Sequence, residues 1–232
     1  MAKKKEVKKK VEKIEKVVET KEKYNFWDEN KGIIITLAII VGAIIIGLLV
    51  YKYNTSFTFN GVDFEKRYYG ELLFYTAKIP VEDYYGNIIE YRLLDFRNDP
   101  RKLDKMVEIP EDLQITFRDD YMTYLSFLED TLKCENNGLA SANFAIFLRD
   151  VIKVEYKPAL ANETEAIQKN LTHVTCENSP FNTVIYIHQG DETKITKRIA
   201  SCYDVEFKNC EILEALERFE LKILEQYMQG LN

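Results

Sequence analysis

Residues 32–50 read GIIITLAIIVGAIIIGLLV, a run without a single charge. Coiled into a helix, this run is about 29 Å long, against about 30 Å for the hydrocarbon core of a bilayer. The buried helix of a soluble protein ordinarily keeps a polar stripe, and this run has none. The reading is a transmembrane helix over 32–51. Tyr24, Phe26 and Trp27 precede it, and Tyr51 and Tyr53 follow it. Such rings suit the two headgroup layers.

Charge sets the orientation. Residues 1–31 carry 11 Lys against 7 Asp or Glu, while only Lys52, Lys66 and Arg67 lie in the twenty residues after Val50. The lysine-rich end is expected to stay in the cytoplasm, leaving the C-terminal part outside. A cleaved signal peptide is the rival reading. Its apolar region is usually about 7–15 residues long and ends at a small-residue cleavage site. Here the run is longer and YKYNTSF follows it, so an uncleaved signal anchor is preferred. The tail is +4 in a chain of −6, so the rest is −10. An acidic outer part argues against nucleic-acid binding, which draws its affinity from a basic face.

The tail has Val7, Val11, Ile14 and Val18 at alternating four- and three-residue steps. This stripe is too short for a stable coiled coil by itself. Its lysines suit the anionic inner leaflet, and the stripe suits a partner helix. Asp28 or Asn30 is a candidate cap for the apolar helix. Within that helix, Ala38 with Gly42 and Ala43 with Gly47 are small-xxx-small pairs that allow close approach of a second copy.

Beyond residue 53 the pattern turns to strands. Asn60-Gly61 separates FTF from VDF, a hairpin signal. Residues 72–79 and 88–96 are β-rich runs. The segment FRNDPRKL at 96–103 reads as a turn, because a residue before proline avoids helix. Strands are expected within 115–127, with helix an alternative over 121–132, and then at 154–160, 184–188, 195–199 and 203–207. Helices are expected over 139–152 and 210–228. The fold class is α+β. The expected parts are a tail (1–31), the apolar helix (32–51), a β-rich membrane-proximal module (52–118) and an α/β-layered extracytoplasmic domain ending in a helix (119–232).

All four cysteines, Cys134, Cys176, Cys202 and Cys210, fall in the last part. An even number on an oxidising side reads as two disulfides. Zinc would need close pairs of the C-x2-C kind. If 203–207 is extended, Cys202 and Cys210 stand too far apart to bridge. A three-stranded meander brings Cys202 near Cys176 and leaves Cys134 for Cys210. Cys134 with Cys176, the other two free, is the alternative pairing.

The run from Cys176 to Leu224, CENSPFNTVIYIHQGDETKITKRIASCYDVEFKNCEILEALERFELKIL, together with the FRNDPR turn, the lysine-rich tail and the single apolar helix, resembles uncharacterised archaeal membrane-anchored proteins. The resemblance implies a place in the cell envelope. It implies no activity and transfers no functional residue.

Motifs for chemistry are sparse. His173 and His188 have no partner at metal-ligand spacing. His188 stands near Asp191, a placement that suits a polar hairpin turn better than a catalytic His–Asp pair. Asp119-Asp120 and Glu129-Asp130 are adjacent carboxylates that sugar or cation chemistry could use. Arg97, Asp99 and Arg101 suit an anionic group or an ion pair within the turn. The N-x-S/T sequons fall at Asn54, Asn162 and Asn170, the last two in a polar stretch and the better glycosylation candidates. No catalytic residue, metal ligand or cofactor site is assigned. The expected role is a single-pass, membrane-anchored binding or assembly protein with the bilayer and another envelope protein as partners. Self-association through the helix is a further expectation. The alternative is an extracytoplasmic hydrolase or ligand-binding sensor.

Overall fold

A computed structural model describes residues 26–82, 85, 87–118 and 120–230. The tail stripe and Asp119 lie outside them. The chain divides between Tyr53 and Asn54 into two compact units.

In the first unit, helix α1 runs Phe26–Thr55. The expected cap is corrected: Asp28 and Asn30 lie inside the helix. Within its stretch Asn30–Thr55 the most apolar 18 residues have a mean hydropathy of 3.2 and none of them is buried, so the helix is long and apolar enough to cross a membrane. Thr36 donates its hydroxyl to the Gly32 carbonyl at 2.9 Å. That bond satisfies the one hydroxyl of the apolar run within the helix itself.

The second unit holds two sheets. The first is an antiparallel ladder of β1 (Ser56–Phe59), β2 (Val62–Tyr69), β3 (Leu72–Glu82) and β4 (Ile88–Phe96), in that spatial order. Asn60 and Gly61 both have positive φ, 48° and 82°, as a tight hairpin turn requires. Gly70, at φ 66°, does the same between β2 and β3. The reading of 96–103 as a turn is corrected: Pro100–Met106 is helix α2. Asp99 is extended and its side chain accepts from the Arg101 amide. The preference of a pre-proline residue for extended backbone, read as a turn signal, is what an N-cap needs.

The second sheet has the order β7-β6-β5-β8-β10-β9. Its strands are β5 (Thr123–Phe127), β6 (Tyr156–Leu160), β7 (Thr172–His173), β8 (Thr183–Gln189), β9 (Lys194–Ile199) and β10 (Cys202–Phe207). All pairings are parallel except β9 with β10. The expected meander is therefore corrected, since β10 inserts between β8 and β9. The expected strand begins only at Thr123: residues 115–118 form none, and two of their amides bond to side chains instead, Ile115 to Gln226 and Thr116 to the Tyr203 hydroxyl. After β5 come a 3-10 turn (Glu129–Lys133), helix α3 (Asn137–Ile146) and a π turn (Phe147–Ile152). Helix α4 (Glu163–Lys169) links β6 to β7. The polar stretch around the two sequons proves to be this helix, with Asn162 at its N-cap and Asn170 at its C-cap.

The closing helix α5 (Ile212–Gly230) contacts α2, α3, β2, β9 and β10. Phe219 meets Phe144 and Tyr203 edge to face, with centroids 5.7 and 5.8 Å apart. One core takes in Phe64, Ala77, Ile79 and Phe96 from the first sheet and Leu125, Ile185, Val205 and Phe207 from the second. Charged residues of α5 are buried too, and three of them take partners from other segments. Glu217 accepts from the Arg97 and Asn98 amides, Arg218 pairs with Asp104 and Glu225, and Lys222 donates to the Glu111 carbonyl.

Disulfides join Cys134 to Cys210 and Cys176 to Cys202, with Cα atoms 5.3 and 5.6 Å apart. The parallel pairing of β10 with β8 puts Cys202 opposite Val184, at the start of β8, where the chain arrives from Cys176.

Candidate functional site

The second sheet changes direction at β5. The chain steps outward through β6 and β7, then returns to place β8 on the other side of β5. Open α/β sheets bind ligands at such a switch point, beyond the carboxyl ends of the strands. Period-2 alternation sends Ile185, Ile187, Tyr203, Val205 and Phe207 to the face under α5. It sends Tyr186, His188, Asp204 and Glu206 to the opposite face.

A strap, residues 174–181, crosses that opposite face. The buried Ser126 hydroxyl donates to the Val174 carbonyl at 2.6 Å, and the Cys176–Cys202 disulfide pins the strap to β10. Beneath it lies a cavity of about 100 Å³ lined by Leu128, Ala161, Thr175, Glu177, Tyr186 and Arg198. That volume admits about three waters. Small-molecule sites usually reach several hundred cubic ångströms.

The charged group beside it is His188 with Asp204 and Arg198. His188 Nε2 lies 2.8 Å from Asp204 Oδ1, and Arg198 Nε donates to Asp204 Oδ2 at 2.8 Å. The Arg198 guanidinium lies 4.7 Å over the Tyr186 ring, whose centroid is 4.8 Å from that of His188. His188 Nδ1 lies 3.1 Å from the Gln189 carbonyl oxygen. Both ring nitrogens therefore face acceptors, which the imidazolium alone satisfies. Burial opposes that charge, but the Asp204 carboxylate and the Gln189 carbonyl outweigh it and hold the pKa of His188 above its ordinary value. Burial likewise opposes ionised Asp204, and the bonds from His188 and Arg198 hold its pKa below the usual range. Neither nitrogen is open to take a proton from a substrate, so this is an ion-paired clamp between β8, β9 and β10. The partner of His188 is Asp204, not Asp191. The meander reading hid it by placing β9 between the two strands.

A larger cleft of about 640 Å³ lies along α2 and α5 and includes Asp104, Lys105, Glu108, Lys208, Arg218 and Lys222. Arg218 is spent on Asp104 at 2.9 Å and Glu225 at 3.3 Å, and Lys222 on the Glu111 carbonyl. The cleft is an ion-paired seam holding α5 to its surroundings.

The other residues singled out in the sequence are dispersed. Asp120 precedes β5 and Glu129 follows it, so they stand at opposite ends of a five-residue strand. Asp130 pairs with Lys133 at 3.4 Å. Asp99 takes Arg101 in a two-point ion pair, and the Arg101 guanidinium lies 4.0 Å over Phe57. Arg97 stacks on Phe74 at 4.7 Å. His173 Nε2 lies 3.1 Å from the Ala161 carbonyl oxygen. Asn162 accepts from the Glu165 amide through Oδ1, an atom distinct from the Nδ2 that a glycan would occupy. Among the described residues no three His, Cys, Asp or Glu side chains converge as metal ligands would.

What the sequence did not single out is an apolar edge. β4 borders the first sheet on one side only. Ile88, Ile89, Tyr91 and Leu93 on it are each at least half exposed. In comparisons with known proteins, the chain matches no family model, no curated protein and no solved structure.

Proposed function

We propose that the chain is a single-pass, membrane-anchored binding or assembly protein of the cell envelope. In this reading α1 spans the bilayer, the lysine-rich tail stays in the cytoplasm, and the two-sheet unit works outside. The length and apolarity of α1 support the anchor. The two disulfides support an oxidising surrounding for the outer unit.

The observation that carries the binding role is the β4 edge. An exposed edge strand offers unpaired amides and carbonyls, and soluble proteins usually blunt it with charge, proline or a cover. Here 88–93 read IIEYRL, with Ile89, Tyr91 and Leu93 at alternate positions and exposed, while Glu90 and Arg92 between them pair with each other at 2.9 Å. The occupant that fits is an extended apolar strand of a second envelope protein, which adds to the sheet and buries those side chains. The anchor raises the effective concentration of such a partner, so a short edge suffices.

Two measurements test this reading. Alkaline washing of membranes should leave the chain in the pellet; release into the supernatant removes the anchor. A photo-crosslinking residue at Ile89 in intact membranes should yield one discrete adduct identifiable by mass spectrometry. Recovery of the monomer alone removes the β4 partner.

A further inference from the structure

The edge strand leaves a second exposed apolar feature unexplained, at the opposite end of the same sheet. β1 starts at Ser56, and Ser56 lies opposite Glu65 of β2. β2 runs antiparallel to β1, back toward the end at which the chain enters the unit, and continues four residues past that level to Tyr69. The overshoot is about 14 Å at 3.4 Å per residue. It closes through the Gly70-Glu71 turn onto Leu72 of β3, with Tyr69 opposite Leu72.

This tip is apolar on both faces. Tyr68 and Leu73 share one face, and Tyr69, Leu72 and Phe74 the other. Tyr68 is 68%, Tyr69 53% and Leu72 50% exposed. A hairpin standing in water ordinarily alternates apolar and polar. Cations collect behind the rings. Lys66 precedes the tip on β2, Arg67 beside it is paired with Glu65 at 2.9 Å, and Arg97 lies over the Phe74 ring with its Nη1 buried and without a hydrogen-bond partner.

We propose that the tip, residues 68–72, rests in the headgroup layer of the membrane that holds α1. The proposal rests on the reading of α1 as an anchor. Three features point to lipid. The chain enters the sheet unit at Ser56, at the end of the sheet toward which the tip projects, so the sequence itself ties that end within a few residues of the anchor. Tyrosines with an apolar body and a polar hydroxyl are the side chains that membrane interfaces favour. Apolar character on both faces suits a medium that surrounds the hairpin, whereas a protein partner needs only one. Glu71 at the apex keeps the insertion shallow, because a carboxylate is costly below the headgroups. Arg97 and Lys66 then stand at the level of lipid phosphates.

The test uses the full chain reconstituted in phosphatidylcholine vesicles. Trp27→Phe removes the single native tryptophan, and Tyr69→Trp or Leu72→Trp reports from the tip. Lipids brominated near the headgroup should quench about half of the tip fluorescence, lipids brominated near the chain ends much less. An Ile89→Trp reporter at the far end of the sheet should be unaffected. If both tip reporters are no more quenched than Ile89→Trp while the chain resists alkaline washing, the proposal is overturned and the anchor stands. If the chain is washed off, the anchor fails and takes the proposal with it. A tip signal that shifts with protein-to-lipid ratio but not with bromination assigns the tip to a second copy and overturns the proposal.

Discussion

His188 shows how a side chain that looks catalytic in sequence can be structural in the fold. Its two nitrogens face the Gln189 carbonyl and the Asp204 carboxylate, so the clamp is complete only when the ring is charged. The sign follows from the raised pKa. The folded state holds the proton more tightly, so the stabilisation is full below the ordinary histidine value of about 6.5 and is lost as pH rises through the raised value. Asp204, with its lowered pKa, stays ionised through this range and closes the window only in acid. His188→Gln removes the titrating group and keeps a hydrogen-bonding side chain. Thermal unfolding of the full chain should show the native protein ahead by about 1–2 kcal/mol near pH 6, shrinking toward pH 9. A difference that does not change with pH would mean His188 is not a charged clamp. Residue type and strand position made His188 visible in the sequence. Asp204 was not visible as its partner, because that depended on which strand β10 lies against.

At the scale of elements, periodicity was most informative where one face meets the core. The Asn60-Gly61 hairpin, β3, β4, β8 and the apolar side of α5 all follow from alternation or helical spacing. The other side of α5 did not follow, since Glu217, Arg218, Lys222 and Glu225 look solvated in sequence and are buried. Each meets a partner from elsewhere in the chain (Arg97 and Asn98 for Glu217, Asp104 for Arg218, Glu111 for Lys222, Asn60 for Glu225), and such partners leave no local signature. The missing strand at 115–118 has the same cause, the amides of Ile115 and Thr116 being taken by Gln226 and Tyr203. α5 is therefore the element on which both sheets depend. Phe219 is fully buried against Phe144 and Tyr203. Phe219→Ala should cost about 3–5 kcal/mol in denaturant unfolding, far above an exposed substitution such as Ile167→Ala on α4. Equal costs at the two sites would remove α5 from the core.

The whole molecule has a single unit after Asn54 whose far-apart segments are tied covalently. Cys134 precedes α3 and Cys210 precedes α5, closing a separation of 76 residues. Cys176 and Cys202 close one of 26. Constraint of the unfolded chain grows with the logarithm of loop length, so the first tie is worth about 4.5 kcal/mol and the second about 3.5 kcal/mol in the chain-entropy account. The two should nevertheless fail differently. Cys134→Ala/Cys210→Ala loosens the entry to α5 and lowers the stability of the unit as a whole. Cys176→Ala/Cys202→Ala frees the strap at 174–181, which then relies on Ser126 bonding Val174 and on Arg118 bonding the Phe181 carbonyl at 2.8 Å. Limited proteolysis of the native full chain should cut within the strap in the second variant well before global unfolding, and spare it in the first. Denaturant midpoints should fall in both, further in the first. Cleavage outside the strap in the second variant, or midpoints unchanged in either, would show that the disulfides do not hold the unit in this way. The same pair of variants also separates the two ends of the molecule: neither disulfide touches the β4 edge or the 68–72 tip, so crosslinking at Ile89 and quenching at Tyr69→Trp should survive loss of the strap.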